Sequence, residues 1–549
     1  MKTSQTDRSY DVIIVGAGIA GTILGTILAR HQVKVLLIDS SSHPKFAIGE
    51  SMIPGTSFMM RLMAERYDVP EIMYCSTFPL IRQNISSSCG IKRNFSFVYH
   101  REGESQNPLE TTQLSVPNLP YGSEAHMYRQ DTDAFMMTMA IKYGAVVKQR
   151  TMIKDVVITD TGVEVITSTD EAYSASYIVD GTGANSMLSR KLELKEEPTR
   201  MRTNTRSMFT HMINVLPFDA LTDKNTHGLP SAFHRGTLHH IFDGGWLWVI
   251  PFDNHKDSTN RLCSVGLQLE NRLHPKTDLS PEEEFQSFLD RFPDIAKQFA
   301  QAKPVRDWTA SDRLQYSSHQ VIGDRYCLLA HAAAFIDPLF SRGLAITVNT
   351  INALAQRLID AVGSQSFRAE DFALVSKIIQ ESYDTNDRLV SCSYTAFRDF
   401  DLWNAWYRVW ALGQAFTSLR FTQLLSKYYE NRDLNWLMEV EKAPYPGGIV
   451  TDLEDYQVLF NQVASTVEAV RDDGLCPKEA AERIYGYYKA AEHFIPEHYQ
   501  ILNRDKRFIS KMDPKSLLEV VEWGNTKAPQ RIRELYFEGS ASMFSLVQQ

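Results

Sequence analysis

Apolar positions along the chain change texture twice. Residues 11–15 form a short run that is apolar after Asp11, the pattern of a strand buried on both faces, and lead through Gly16-Ala17-Gly18-Ile19-Ala20-Gly21 into a helical pattern ending near His31. A second apolar run, 33–38, stops at Asp39, so the opening reads as a strand–helix–strand unit. Met59, Leu62 and Met63 then mark a helix, residues 95–99 alternate as a strand does, and 129–145 return to helical spacing. Strands follow at 155–158, 163–167 and 177–179. The stretch 190–310 reads as mostly strand, with Gly245-Trp246-Leu247-Trp248-Val249-Ile250-Pro251 inside it, and a short sheet segment returns at 327–329. From Thr347 onward amphipathic helices take over. Tyr383, Tyr394, Phe397, Phe400, Trp403, Trp406, Tyr407 and Trp410 stand there near helical spacing, a stripe suited to packing between lobes.

Composition narrows the class. At 549 residues the chain needs two or three lobes rather than one core, and 43% hydrophobic with 22% charged residues is a globular balance. A formal charge of -9 argues against a nucleic-acid partner, because phosphate binding needs a basic surface. The six cysteines (Cys75, Cys89, Cys263, Cys327, Cys392 and Cys476) include no Cys-x-x-Cys pair, so neither a zinc site nor a disulfide framework is expected. No signal-peptide core precedes the first strand, and no apolar run reaches the ~18 residues of a membrane span. A cytoplasmic protein with no integral membrane association is expected.

The glycine segment carries the first chemistry. Gly16 supplies a tight turn, Gly18 lets backbone approach a pyrophosphate, and Gly21 lets helix and strand pack closely; Ala20 sits on the same first turn. Asp39, 21 residues after Gly18, and Ser40 close the second strand, where a carboxylate can accept from an adenosine ribose. A nicotinamide enzyme fits this unit alone. Phe335-Ile336-Asp337-Pro338-Leu339-Phe340-Ser341-Arg342-Gly343 offers a second glycine turn ahead of a helix, where backbone N–H groups can meet a flavin chain, and so favours FAD. The expected fold is α/β: a Rossmann-like FAD-binding domain interleaved with a mostly antiparallel sheet (mainly 82–121 and 190–315) within residues 1–350, then a C-terminal α-helical region, 351–549. A hinge is expected at 443–448, where Pro444-Tyr445-Pro446-Gly447-Gly448 interrupts the pattern. Trp246 and Trp248 put both indoles on one face of a strand that Pro251 ends; by themselves they read as core.

Together, the 16–21 segment, Gly49-Glu50-Ser51, Arg129 with Asp133 one helical turn later, Asp180-Gly181-Thr182-Gly183, Trp246-x-Trp248-x-Ile250-Pro251 and the 335–343 segment resemble the flavin-dependent halogenases over about residues 10–350. The resemblance implies that Trp246, Trp248 and Pro251 lie beside the flavin and keep substrate from the oxidant. It implies that FAD also meets Glu50, Ser51, Arg129, Gly181, His331, Asp337 and Ser341, and that halide sits where Arg342 and Gly343 open a helix. It further implies FADH2, O2 and chloride or bromide. The sequence has one complete dinucleotide fingerprint and no second strand–helix–strand unit for a nicotinamide, so FADH2 is expected from a separate flavin reductase. Hypohalous acid then travels inside the protein to a lysine, which hydrogen-bonds it or carries it as a haloamine for attack by an electron-rich ring. Lys92, just ahead of the 95–99 strand, is that lysine by resemblance, and Lys45 is the second choice.

Three positions depart from the family's pattern. Ala330-His331 stands where Gly-Asp often contacts the ribityl chain; His331 can donate to a hydroxyl or be a core histidine. Arg342 replaces a small hydroxyl residue and either reinforces anion binding or caps a carbonyl. Phe340 replaces the glutamate of tryptophan-type members, which implies a ring activated by its own heteroatom: a tyrosine-like phenol ahead of a pyrrole, free or held on a carrier protein or peptide. The stripe from Phe397 to Trp410 suits either packing or the wall of a substrate chamber. An aromatic hydroxylase and a catalytically silent flavoprotein are the alternatives.

Overall fold

The computed structural model describes residues 8–116, 121–222, 224–509 and 514–538. Ser9–Val15 pairs in parallel with Val35–Ile38 on one side and Ala172–Asp180 on the other, and Val146–Lys148 and Tyr326–Leu328 extend the ladder. The central strands are almost wholly apolar because both of their faces are covered. A hairpin, Ile153–Ile158 with Val163–Thr167, contributes to the eight-stranded sheet. The helix Ile19–Arg30 packs so tightly on its turn that a Cβ at Gly21 would come 2.0 Å from the Gly16 carbonyl oxygen.

The second sheet has nine strands and is mostly antiparallel; Thr237–Phe242 beside Asn94–Tyr99 and Phe508–Ile509 beside Thr111–Ser115 are its parallel pairs. Gly245–Pro251 lies between Thr237–Phe242 and Cys263–Glu270. Its alternation sorts two cores. Trp246, Trp248 and Ile250 join Phe95, Phe97 and the C-terminal helices, while Leu247 and Val249 join Val98 under the helices Pro281–Leu289 and Pro293–Phe299.

One expectation changes here. Pro281–Leu289 and Pro293–Phe299 are helices, not strands: Ser280 and Glu283 form a reciprocal capping box that starts the first of them. The C-terminal region is helical as expected, with one short strand, Phe508–Ile509, joining the second sheet. The helix Arg342–Ser364 runs unbroken through position 350, and 443–448 is a turn in which Gly448 N–H donates to the Tyr445 carbonyl. The helices Ala373–Ala396 and Phe400–Asn431 press the aromatic stripe onto the sheet, Trp403 reaching Phe97 at 4.9 Å and Trp410 reaching Phe95 at 5.3 Å between ring centres. The stripe is thus interlobe packing. Among the described residues no helix is long and apolar enough to cross a membrane.

Candidate active site

A cavity of about 810 Å³ is lined by both sheets and the start of the helix Arg342–Ser364. Its nucleotide half is built by two glycine turns: Gly16 has φ +100°, and a Cβ there would sit 2.6 Å from the Gly181 carbonyl oxygen. Only glycine lets these turns meet backbone to backbone. Gly18, Ala20, Ser40 and Gly181 line this half. Asp39 accepts from Ala17 N–H at 2.7 Å and Ser41 N–H at 2.8 Å, and pairs with Lys45. Burial alone would raise its pKa, but Lys45 and Ser41 hold it below the ordinary value. Lys45 is therefore engaged at the nucleotide end. Arg129 grips Asp133 through two 2.8 Å bonds and donates to the Ile48 carbonyl at 2.5 Å, while Asp133 accepts from Ile19 N–H at 3.2 Å. The pair ties the first helix to the 48–50 loop, where Glu50 meets His211 at 2.7 Å.

The other half is walled by Trp246 and Trp248, ring centres 5.7 Å apart, with Phe46, Ile250 and His239. Trp246 Nε1 donates to Asp337 at 3.1 Å, and Asp337 also accepts from the Tyr394 hydroxyl at 2.7 Å, Thr205 at 3.1 Å and Leu339 N–H at 3.1 Å. Burial pushes this carboxyl up to about 6 against the pull of its donors. Asp337 thereby locks the indole to the C-terminal helices. Ser341 enters the helix Arg342–Ser364 at φ +55°, and Ser341 and Gly343 face the cavity. His331 lies close to Gly343 and edge-on to Phe335 at 4.7 Å; burial, with the nearby Arg129 charge, lowers its pKa to about 4 and keeps it neutral.

Lys92 stands one layer behind this wall, wholly buried. Its Nζ donates to Ser51 Oγ and the Met52 carbonyl, each at 2.6 Å, and lies 3.3 Å from the Phe95 ring centre. Burial lowers its pKa well below the ordinary lysine value. Ser51 and Thr237 both line the cavity and are 2.8 Å apart, and Thr237 lies 3.0 Å from His126 Nε2, whose Nδ1 faces the Pro251 carbonyl at 2.8 Å. That carbonyl requires Nδ1–H, so Nε2 accepts and the donors run in one direction, Lys92 to Ser51 to Thr237 to His126. Glu124 is the register partner of Lys92; burial raises its pKa to about 7, opposed by the Ser57 hydroxyl and the lysine itself.

Gly21 lies under the glycine turn, and Pro251 supplies only its carbonyl to His126. Arg342 does not face the flavin-side cavity as its halide assignment required: the N-terminal twist of the helix turns its side chain into a second cavity of about 280 Å³. Sequence reasoning passed over His239, Thr237, His126, Glu124 and Tyr394. Their roles depend on pairings such as His239 opposite Trp248 and Lys92 opposite Glu124, and alternation alone gives no partner strand.

A dinucleotide turn and a tryptophan wall around one cavity, with a buried lysine behind it, define a flavin-type oxidoreductase site. Residues 14–60 match an NAD(P)-binding Rossmann-like domain, and residues 100–411 match the Tryptophan halogenase family. The chain is 45% identical to monodechloroaminopyrrolnitrin halogenase PrnC of Pseudomonas fluorescens, over 98% of this chain and 95% of that protein. It is 40% identical to tetracycline 7-halogenase of Kitasatospora aureofaciens, over 97% and 96%. The crystal structure of halogenase PltM with phloroglucinol and FAD superposes with a TM-score of 0.88 at 39% identity, covering 91% of this chain and 99% of that one. The protein belongs to the flavin-dependent halogenases. Its cofactor is FAD, and the cavity fits one: its volume suits a dinucleotide, and a side chain at Gly16 would collide with the Gly181 backbone in the turn that receives the phosphates.

Proposed function

We propose that this enzyme halogenates an electron-rich phenol, with Lys92 presenting the halogen to the ring. Bound reduced FAD, with O2 and chloride or bromide, supplies the hypohalous acid. Trp246 and Trp248 exclude the aromatic substrate from that side, and the Asp337 network keeps the indoles from swinging away. Halide binds beside Ser341 and Gly343, where the N-terminus of a 23-residue helix favours an anion.

The observation that carries this reading is the placement of Lys92, whose amine donates to Ser51 on the cavity wall. A depressed pKa lets a buried lysine give up its proton near neutral pH, and Ser51, fixed by Thr237 and His126 behind it, accepts one of its hydrogen bonds. The adjacent Phe95 ring favours the cationic form. Phe340 packs against Trp410 at 4.7 Å, so position 340 offers no carboxylate to assist proton removal, and a ring activated by its own hydroxyl suits the site. FADH2 comes from a separate flavin reductase, and the substrate is free or carrier-held.

The test is incubation with a flavin reductase, NADH, FAD, bromide and a panel of phenols and pyrroles, read by mass spectrometry. Brominated phenols as the main products support the reading. Hydroxylated products alone, with halide present, refute it.

A further inference from the structure

The second cavity begins one residue beyond the backbone carbonyl that Lys92 holds. Lys92 Nζ holds the Met52 carbonyl, the next residue, Ile53, lines this cavity, and Phe95 beneath the amine lines a small void that shares Gln414 with it. Its walls mix apolar side chains, Met59, Phe416 and Phe421 among them, with polar and charged ones, and at about 280 Å³ it accommodates a substituted aromatic ring.

The charges around it are nearly all matched. Arg420 Nε lies 2.8 Å from Asp452, which also accepts from Tyr536, and Lys442 pairs with Glu439 at 2.6 Å. Arg531 is exposed to solvent. Arg342 is the exception: its Nε is buried with no partner among the described residues, and no carboxylate is paired with it. The neighbouring Tyr456 hydroxyl donates to the Val409 carbonyl and stays neutral. Arg342 is half-buried in this cavity wall, so its guanidinium offers N–H donors there to an acceptor that a ligand supplies.

We infer that Arg342 recognises an anionic oxygen group, a carboxylate or an ionised acidic hydroxyl, on the aromatic substrate, and orients the ring in this cavity toward Lys92. This rests on the halogenase reading above. The planar guanidinium takes two oxygens side by side, which fixes ring orientation as well as adding affinity. Burial lowers the Arg342 pKa to about 10, so the group remains charged at neutral pH.

The test is equilibrium titration of the FAD-loaded protein with 4-hydroxyphenylacetate and its neutral methyl ester, followed by tryptophan fluorescence and calorimetry, without turnover. The acid should bind at least about tenfold tighter than the ester. Arg342→Met should abolish that preference with FAD affinity retained, and Arg342→Lys should keep part of it. Should Arg342→Met fail to fold, the lysine variant together with the salt dependence of the wild-type preference decides the matter. Equal binding of acid and ester by the wild type, equal loss of both in Arg342→Met, or displacement of the acid by low-millimolar bromide would each overturn the inference. A protein that prefers the acid yet halogenates nothing contradicts the halogenase reading alone; one that halogenates phenols but treats acid and ester alike contradicts only this inference.

Discussion

Replacing Glu124 with glutamine keeps the shape of the side chain and removes one buried negative charge opposite Lys92. The two residues are paired across antiparallel strands, so their side chains leave the sheet side by side, about 5 Å apart. With an effective dielectric of about 20, unit charges no closer than that interact by at most about 3 kcal/mol, equivalent to at most about two pH units in the protonation of either group. Burial pulls the Lys92 pKa down and Glu124 opposes that pull, so Glu124→Gln lets the lysine lose its proton at lower pH. If the protonated amine is the group that polarises the halogen, the alkaline limb of the halogenation profile moves downward by up to about two pH units. FADH2 oxidation, which occurs in the other half of the site, keeps its profile. The assay compares product formation with flavin oxidation from about pH 6 to 9, with Glu124→Asp as the variant that restores charge. Coincident wild-type and Glu124→Gln profiles would refute the argument that this pair sets the protonation of Lys92.

Two further outcomes follow from packing and burial. In Gly266→Ala the new Cβ would lie 2.1 Å from the Trp248 ring, so the indole must shift into the cavity; destabilisation of about 1–3 kcal/mol and weaker FAD binding by titration are expected, and an unchanged dissociation constant would mean the wall adapts. Acid should destabilise the FAD-free protein. Burial holds His126 and His239 to about 3, His240 and His331 to about 4 and His100 well below its ordinary value, so below about pH 6.5 the unfolded chain binds protons that the folded one refuses. Glu124, raised to about 7, and Asp337, raised to about 6, work in the opposite sense, because the folded state takes up their protons first. The histidines outnumber the raised carboxyls, so stability falls as pH drops from about 6.5 to 5. Denaturant melts across that range check it, and a flat or rising stability contradicts the neutral assignment of the histidines.

Local signals in the sequence located much of this architecture. The strand–helix–strand unit was legible because Gly16, Gly18, Gly21 and Asp39 act within one short segment, and Trp246 with Trp248 because alternation along one strand places both rings on one face. The capping box at Ser280 and Glu283 was equally local and marks the helices that the strand-rich reading of 190–310 missed. What stayed hidden is set by contacts between distant segments. Asp337 receives Trp246, Thr205 and Tyr394 from three separate elements, and Phe508–Ile509 finds its partner strand almost four hundred residues upstream. Arg342 shows the limit within a single helix turn. Its neighbours Ser341 and Gly343 face the flavin-side cavity while its own side chain enters the other one, a direction fixed by helix phase and not by the motif. Lys92 was singled out by resemblance alone, and its burial behind Ser51 depends on the Lys92–Glu124 strand pairing.

The central claim, that Lys92 hands the halogen from the flavin side to the ring, is tested most directly with Lys92→Met. This variant keeps an unbranched side chain in the buried slot and removes the amine. Reduced FAD, bromide, O2 and a phenol are supplied, and flavin oxidation, brominated phenol and free hypobromite trapped by monochlorodimedone are measured together. The account predicts FAD binding and flavin oxidation near wild-type rates, trapped hypobromite, and a loss of brominated phenol of about 100-fold or more. Brominated phenol formed by Lys92→Met at the wild-type rate, with the same regiochemistry, would contradict it.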